Sequence, residues 1–380
     1  MSWNNLFTGC TASALFSLAD CSYWTRMWTI QEFSASVPLV YWGNADRAPG
    51  FGALRAIREV SATQAFSKSG GQFRGRLHWN FSGFKDPEYE PPALSAQFPH
   101  LSPMHSTDGG DKIFALKGLF HRGYRDLNVD YDQPLWDVYT AATRLTLTAE
   151  KSLLLLGFVA RSQSEDRLPS WTVDWDDKLA HTMQVSGAAS DPEPVFAFVN
   201  DGMVLRLSGR FIGVISGAIS TIFPQLDILP IGFIFDGHPI DVCMRNRTCL
   251  RMLFNFYQKN CQSWYPDFAS YLQAVTKFLD PEKKYNAATQ SAATHIFEGR
   301  EHAAMLEIGD EETLFLNKLN GTVLFTTTDT SFGVARGDGI RSGDRIAPVS
   351  GLGNPIILRP LSTSFELITS AIVSGVTFDE

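Results

Sequence analysis

The chain has 380 residues, 44% of them hydrophobic and 19% charged, which excludes a disordered polypeptide and leaves room for two or three domains. Its formal charge of -8 excludes the chain-wide basic surface that nucleic-acid binding needs. Five cysteines at irregular spacing argue against a secreted disulfide framework, and no run reaches the ~20 apolar residues that span a bilayer. The first residues lack the basic start and apolar block of a signal peptide, so the expected compartment is the cytoplasm, with no membrane partner.

In chain order, the first dense segment is aromatic, Tyr23 to Phe33. Helical spacing puts Tyr23, Met27, Ile30 and Ser34 on one face and Thr25, Trp28, Thr29 and Glu32 on another. Val37 to Trp42 is β-prone, and a helix is predicted from about Gly52 to Thr63. Residues 67 to 110 are rich in Gly, Pro and Ser and read as a loop. Asp108 and Asp111 then head a predicted helix, acidic residues suiting its positive end, with Ile113, Leu116 and Phe120 on one side. A second helix is predicted to start near Pro134, with the stripe Leu135, Val138, Tyr139, Ala142 and Leu145.

Leu168 to Asp177 is Trp-rich and irregular, and Met203 to Ile215 alternates as a strand or hairpin does. A helical block is predicted over about 241–307, where Phe268, Tyr271, Leu272, Val275, Phe278 and Leu279 form an apolar stripe. Strands are predicted at Thr313 to Thr328, Arg345 to Val349, Pro355 to Leu358 and Phe365 to Val373. The expected fold class is mixed α+β. The strand at Met203 to Ile215 is expected to pair with strands after Thr313, wrapping 201–380 around the helical insertion.

Several segments together resemble the fungal heterokaryon-incompatibility (HET) domain family. YWTRMWTIQEF at Tyr23 to Phe33 is similar to the motif that closes the HET domain. DGGDKIFALKGL from Asp108, VDYDQPLWDVYTAAT from Val129 and LPSWTVDW from Leu168 resemble the segments that follow it. Gly343-Asp344, Pro355, Leu358 to Pro360 and Gly375 resemble the family's C-terminal tail. Gly109 and Gly110 replace the family's usual Pro-Arg, and Thr172 and Val173 its usual Val-Pro. The front of the HET domain is absent, so the resemblance implies an N-terminally truncated form. Residues 1–45 are then the remnant of a TIR-like α/β HET domain, 46–200 a mainly helical middle region, and 201–380 a strand-rich C-terminal lobe. The implied role is vegetative incompatibility, in which fungal non-self recognition leads to programmed cell death. The implied partner is another fungal incompatibility protein. The chain itself is expected to be a non-catalytic fragment without a cofactor.

The family's kinship with TIR domains, some of which cleave NAD, singles out Glu32. Tyr23 lies nine residues before it and Trp28 four before, as in the TIR pattern, while Thr29 and Arg26 stand where that pattern has Cys and Ser. A carboxylate beside an aromatic wall suits N-glycosidic cleavage, and burial against Trp28 is expected to raise its pKa. Two other readings stay open: Glu32 pairs structurally with Arg26 or Arg55, or the whole chain is an inert degenerate remnant. No metal site is expected. Asp174, Asp176 and Asp177 read as a solvated turn, and Cys243, Cys249 and Cys261 lack zinc spacing and read as buried thiols. Trp171 and Trp175 read as core anchors, and Gly337 to Gly343 as a turn rather than a phosphate loop.

Overall fold

The computed structural model describes residues 22–35, 93–117, 119, 124, 127–161, 169–177, 194–224, 234–235, 238–279, 316 and 318–374. The expectations for Val37 to Trp42, for Gly52 to Thr63 and for most of 67–92 and 280–315 lie outside them. The chain divides into two compact units, Met1–Leu145 with Trp175–Lys178, and Thr146–Asp174 with Leu179–Glu380. The fold is mixed helix and strand.

The described part of the first unit is helical. A 3-10 turn at Ser22–Thr25 leads into α1 (Thr29–Ala35); α2 (Leu94–Leu101) and α3 (Asp111–Phe114) follow, and α4 (Leu135–Glu150) runs past the unit boundary. Helix α2 corrects the expected loop over 67–110. Its Leu94, Phe98 and Leu101 recur at helical spacing and are all buried, which outweighs the surrounding Gly and Pro. Pro99 lies in its last turn, near where the helix stops. Helix α3 is shorter than its apolar pattern predicts, and turns continue after Phe114. On α4, Val138, Tyr139 and Ala142 are buried as the stripe requires, whereas Leu135 at its head is 38% exposed.

The second unit is built on a closed six-stranded barrel. Chain order supplies a hairpin, β1 (Phe196–Val199) and β2 (Val204–Leu207), then β3 (Gly213–Ile219) and a short pair, β4 (Ile234–Phe235) and β5 (His238–Pro239). Two helices, α5 (Ile240–Phe256) and α6 (Phe268–Leu279), come next, joined through a π turn at Tyr257–Cys261. Last come β6 (Thr322–Thr327), β7 (Phe332–Arg336), β8 (Arg345–Ala347), β9 (Ile356–Pro360) and β10 (Phe365–Val373). The barrel order is β10-β7-β6-β3-β8-β9, closing back on β10. Strand β3 pairs antiparallel with β6 and β8, the pairing expected across the helical insertion. The structure adds β1 and β7, which the sequence pattern did not announce.

Alternation sorts the barrel side chains. Ile215, Val323, Phe325, Ile346, Ile357 and Ile368 form one apolar cluster, while Leu324, Phe332 and Val334 join the core with α5 and α6. Strand β6 is therefore buried on both faces, and every residue of TVLFTT is buried. Gly333 sits opposite Phe325 on the neighbouring strand, and a Cβ there would meet the Phe325 ring at 2.3 Å. Side chains fill a barrel of this size instead of leaving an open lumen.

Leu153 to Arg161 is stapled to the barrel strands. The Arg161 amide donates to the Ile368 carbonyl at 2.9 Å, and the Ser370 hydroxyl donates to the Gly157 carbonyl at 2.5 Å. Leu155, Leu156 and Phe158 are buried with it. No helix among the described residues is long and apolar enough to cross a membrane.

The core shared by α5 and α6 is aromatic and contains two polar oddities. Tyr271 is fully buried, and its hydroxyl has no hydrogen-bond partner. Replacing it with Phe is expected to leave stability unchanged or raise it by up to about 1 kcal/mol, since an unsatisfied buried hydroxyl is removed. A urea midpoint for Tyr271→Phe well below that of the parent chain would count against this. Burial also pushes the Cys261 thiol from its usual 9.0 up to about 12. The fold favours the neutral thiol. This contribution is complete below pH 9.0 and is lost as pH rises through about 12. Peptide-mapped alkylation near the lower end of that window is expected to spare Cys261 in the native protein and label it in urea.

Candidate functional site

The Tyr23–Glu32 segment is positioned by backbone contacts before any side chain acts. The Met27 amide donates to the His105 carbonyl at 2.8 Å, beside an isolated parallel bridge between Arg26 and His105. The Thr29 hydroxyl donates to the Tyr23 carbonyl at 2.7 Å, tying the 3-10 turn to the head of α1. The Gln31 side-chain amide donates to the Lys117 carbonyl at 3.1 Å. Met27 and Ile30 are buried, as their shared face predicts.

This geometry brings Tyr23 and Glu32 together. The Tyr23 hydroxyl donates to the Glu32 carboxylate at 2.5 Å. Burial, then the adjacent carboxylate, pushes the Tyr23 phenol above its ordinary value. Glu32 itself is exposed, and Trp28, one turn earlier, is half-buried. The expected burial of Glu32 against Trp28 is not what the structure has. The observed partner of Glu32 is Tyr23 rather than Arg26, because the turn before α1 folds Tyr23 back onto the helix. Arg55 lies outside the described residues. Chemically, the arrangement is an exposed carboxylate held by one phenol, able to accept hydroxyl donors from solvent.

The same unit holds a buried cation that its sequence pattern did not announce. Lys112 is 1% exposed, in the first turn of α3 ahead of the buried Ile113 and Phe114. Its ammonium donates to the Ser102 carbonyl at 2.7 Å and to the Met104 carbonyl, and it pairs with the Asp176 carboxylate at 2.8 Å. These three acceptors match the three protons of an ammonium group. The signal available in the sequence was slight, a Lys directly before the apolar run Ile113 to Leu116. Asp176 is thereby an ion-pair partner, and among the described residues no group of three or more His, Cys, Asp or Glu side chains could hold a metal.

The neighbouring motif residues close around α3. The Asp108 carboxylate accepts from the Gly110 amide at 2.7 Å and stabilises the turn before α3. Gly110 is the N-cap and no side chain caps the helix, so the expected capping role is not what the structure has. The Tyr131 hydroxyl donates to Asp111 at 2.8 Å, and that bond, with some loss of solvent, pushes the phenol up to about 12. The Tyr139 hydroxyl donates to the Gly109 carbonyl at 3.3 Å. A Cβ at Gly109 would meet the Leu135 side chain at 2.6 Å, and one at Gly110 would meet the Phe114 ring at 2.8 Å. Close packing is thus the local reason for glycine at both positions.

The tryptophans are buried with partners of their own. Trp175 donates its indole N–H to the Thr143 hydroxyl at 3.2 Å and meets Phe98 edge-on at 5.2 Å. Trp171 donates to the Met203 carbonyl at 3.2 Å and packs on Phe198. Cys249 and Cys261 are buried thiols. Gly337 and Gly343 have positive φ, and Asp344 accepts from the Arg341 amide at 2.7 Å, so that segment is a set of turns. A small apolar cavity lined by Leu94, Ile113, Leu116 and Leu127 does not include Glu32.

Removing the Lys112 charge leaves two buried carbonyls and Asp176 without their donor. Lys112→Met is expected to cost about 3 kcal/mol. Asp176→Asn is expected to stay within about 1 kcal/mol, because the Asp176 side chain is 56% exposed and the amide still accepts a hydrogen bond. Denaturant midpoints of both variants check the order, and equal losses would contradict it.

No family model, curated protein or solved structure matches this chain.

Proposed function

We propose that this chain is the regulatory and recognition body of a HET-type vegetative incompatibility protein, without catalysis of its own. On this reading, residues before about 45 are the tail of a TIR-like α/β domain, and the partner is another incompatibility protein inside a fungal cell. One observation carries it. Segments that bear the family resemblance, far apart in sequence, are tied together in one unit. Lys112 of the DGGDKIFALKGL segment pairs with Asp176, which directly follows LPSWTVDW. Tyr131 and Tyr139 of the third segment bond to Asp111 and Gly109 of the second. Motifs that resemble a family only by chance have no reason to share contacts. Deleting the gene, or expressing Lys112→Met in its place, is expected to abolish the incompatibility reaction between otherwise unlike strains. Unchanged incompatibility in the deletion strain would overturn the reading.

A second reading is an NAD glycohydrolase acting through Glu32, favoured by the 2.5 Å contact between the Tyr23 hydroxyl and the exposed Glu32 carboxylate. Incubating the purified full chain with NAD separates the two. The recognition reading expects no nicotinamide release at high protein concentration. Release that disappears in Glu32→Ala would replace it with the catalytic one.

A further inference from the structure

One cation on the barrel wall differs from its neighbours. Arg161 and Arg359 both engage Glu366, and Arg359 grips Asp344 through two bonds of 3.0 and 2.9 Å. Arg345, at the head of β8, is exposed and lies 5.0 Å from the Phe211 ring centroid and 5.9 Å from that of Phe365. Those rings are 5.1 Å apart, and among the described residues they are the contacts its guanidinium makes and no carboxylate or carbonyl accepts from it. The adjacent Asp344 and the β10 residue Glu366 are engaged by other arginines.

Its surroundings have the composition of a binding hot spot. Phe211 is 46% exposed, Phe365 41%, and Leu361 between β9 and β10 is 53% exposed. Arginine and aromatic anchors dominate the energetics of protein interfaces. The pairings Val214↔Arg345 and Arg345↔Leu358 fix the backbone beneath the guanidinium, so little of it needs ordering on binding. Arg345 gives this patch a positive charge on a chain whose formal charge is -8.

We propose that Phe211, Arg345, Phe365 and Leu361 form a docking surface for an acidic polypeptide segment of a partner protein. A partner carboxylate supplies the acceptors that the Arg345 N–H groups lack, and adjacent apolar side chains of the same segment cover the two rings and Leu361. Because the barrel is closed, its strands offer no free edge, and docking runs through side chains rather than through an added strand. The assignment does not depend on the incompatibility reading.

The test uses the full chain and a fluorescent peptide of alternating Glu and Leu, with a Gln–Leu peptide and a single-stranded DNA oligonucleotide as comparison probes, read by anisotropy at one fixed salt concentration. The Glu–Leu peptide is expected to bind at least about tenfold more tightly than the Gln–Leu peptide. Arg345→Gln and Phe365→Leu are each expected to weaken it by about tenfold, and Lys259→Gln to leave it unchanged. Arg345→Lys, which keeps the charge and the fold but not the planar stack, is expected to fall between the parent and Arg345→Gln. Equal binding of the two peptides, or no loss in Arg345→Gln, would overturn the proposal and leave Arg345 as a staple on the barrel wall. Tighter, Arg345-dependent binding of the oligonucleotide would overturn it in favour of a phosphate site.

Discussion

Lys112 places a positive charge where water does not reach, and the described part of the first unit is arranged to satisfy it. An ammonium in an apolar interior is tolerated only when its protons meet acceptors. Two of those acceptors are carbonyls just past the end of α2, and the third is the Asp176 carboxylate, beside the buried Trp175. One side chain therefore links α3, the segment after α2 and the Trp175 turn. The alternative for each of these groups is an unmet polar atom in an apolar core, so their relative positions are strongly specified.

The second unit depends on closure. Six strands complete a ring, so every barrel strand has two neighbours. Inside, branched aliphatic side chains and Phe325 fill the lumen; outside β6 and β7, the aromatic core of α5 and α6 covers the wall. Gly333 is the concession that lets Phe325 fit. The wall near β8 instead faces solvent, and there the exposed Phe211 and Phe365 rings flank the Arg345 guanidinium.

Functional chemistry in this protein follows from exposure more than from residue type. Glu32 is hydrogen-bonded by Tyr23 yet open to solvent. Asp176, Asp344 and Glu366 are engaged by basic side chains. Arg345, by contrast, is exposed and lies against the Phe211 and Phe365 rings.

The sequence alone determined the helices at Leu135–Glu150 and Phe268–Leu279, most of the late strands and the burial of both motif tryptophans. Apolar periodicity and turn residues are local signals, and each of these elements carries its own. It also supplied the Tyr23–Glu32 spacing, because a turn and a helix bring positions nine apart within reach. The strand at Phe332–Arg336 is buried throughout and so lacks the alternation that marks a strand in sequence. The closed barrel and the helix at Leu94–Leu101 came only from the tertiary structure, since closure runs through Gly213–Ile219, whose strand partners lie more than a hundred residues away, and the helix rests on burial that flanking glycines and prolines conceal. The same holds for Lys112, Asp176 and Arg345. A charged residue announces nothing about its acceptor in sequence; only folding decides whether that charge is enclosed, paired or left facing water.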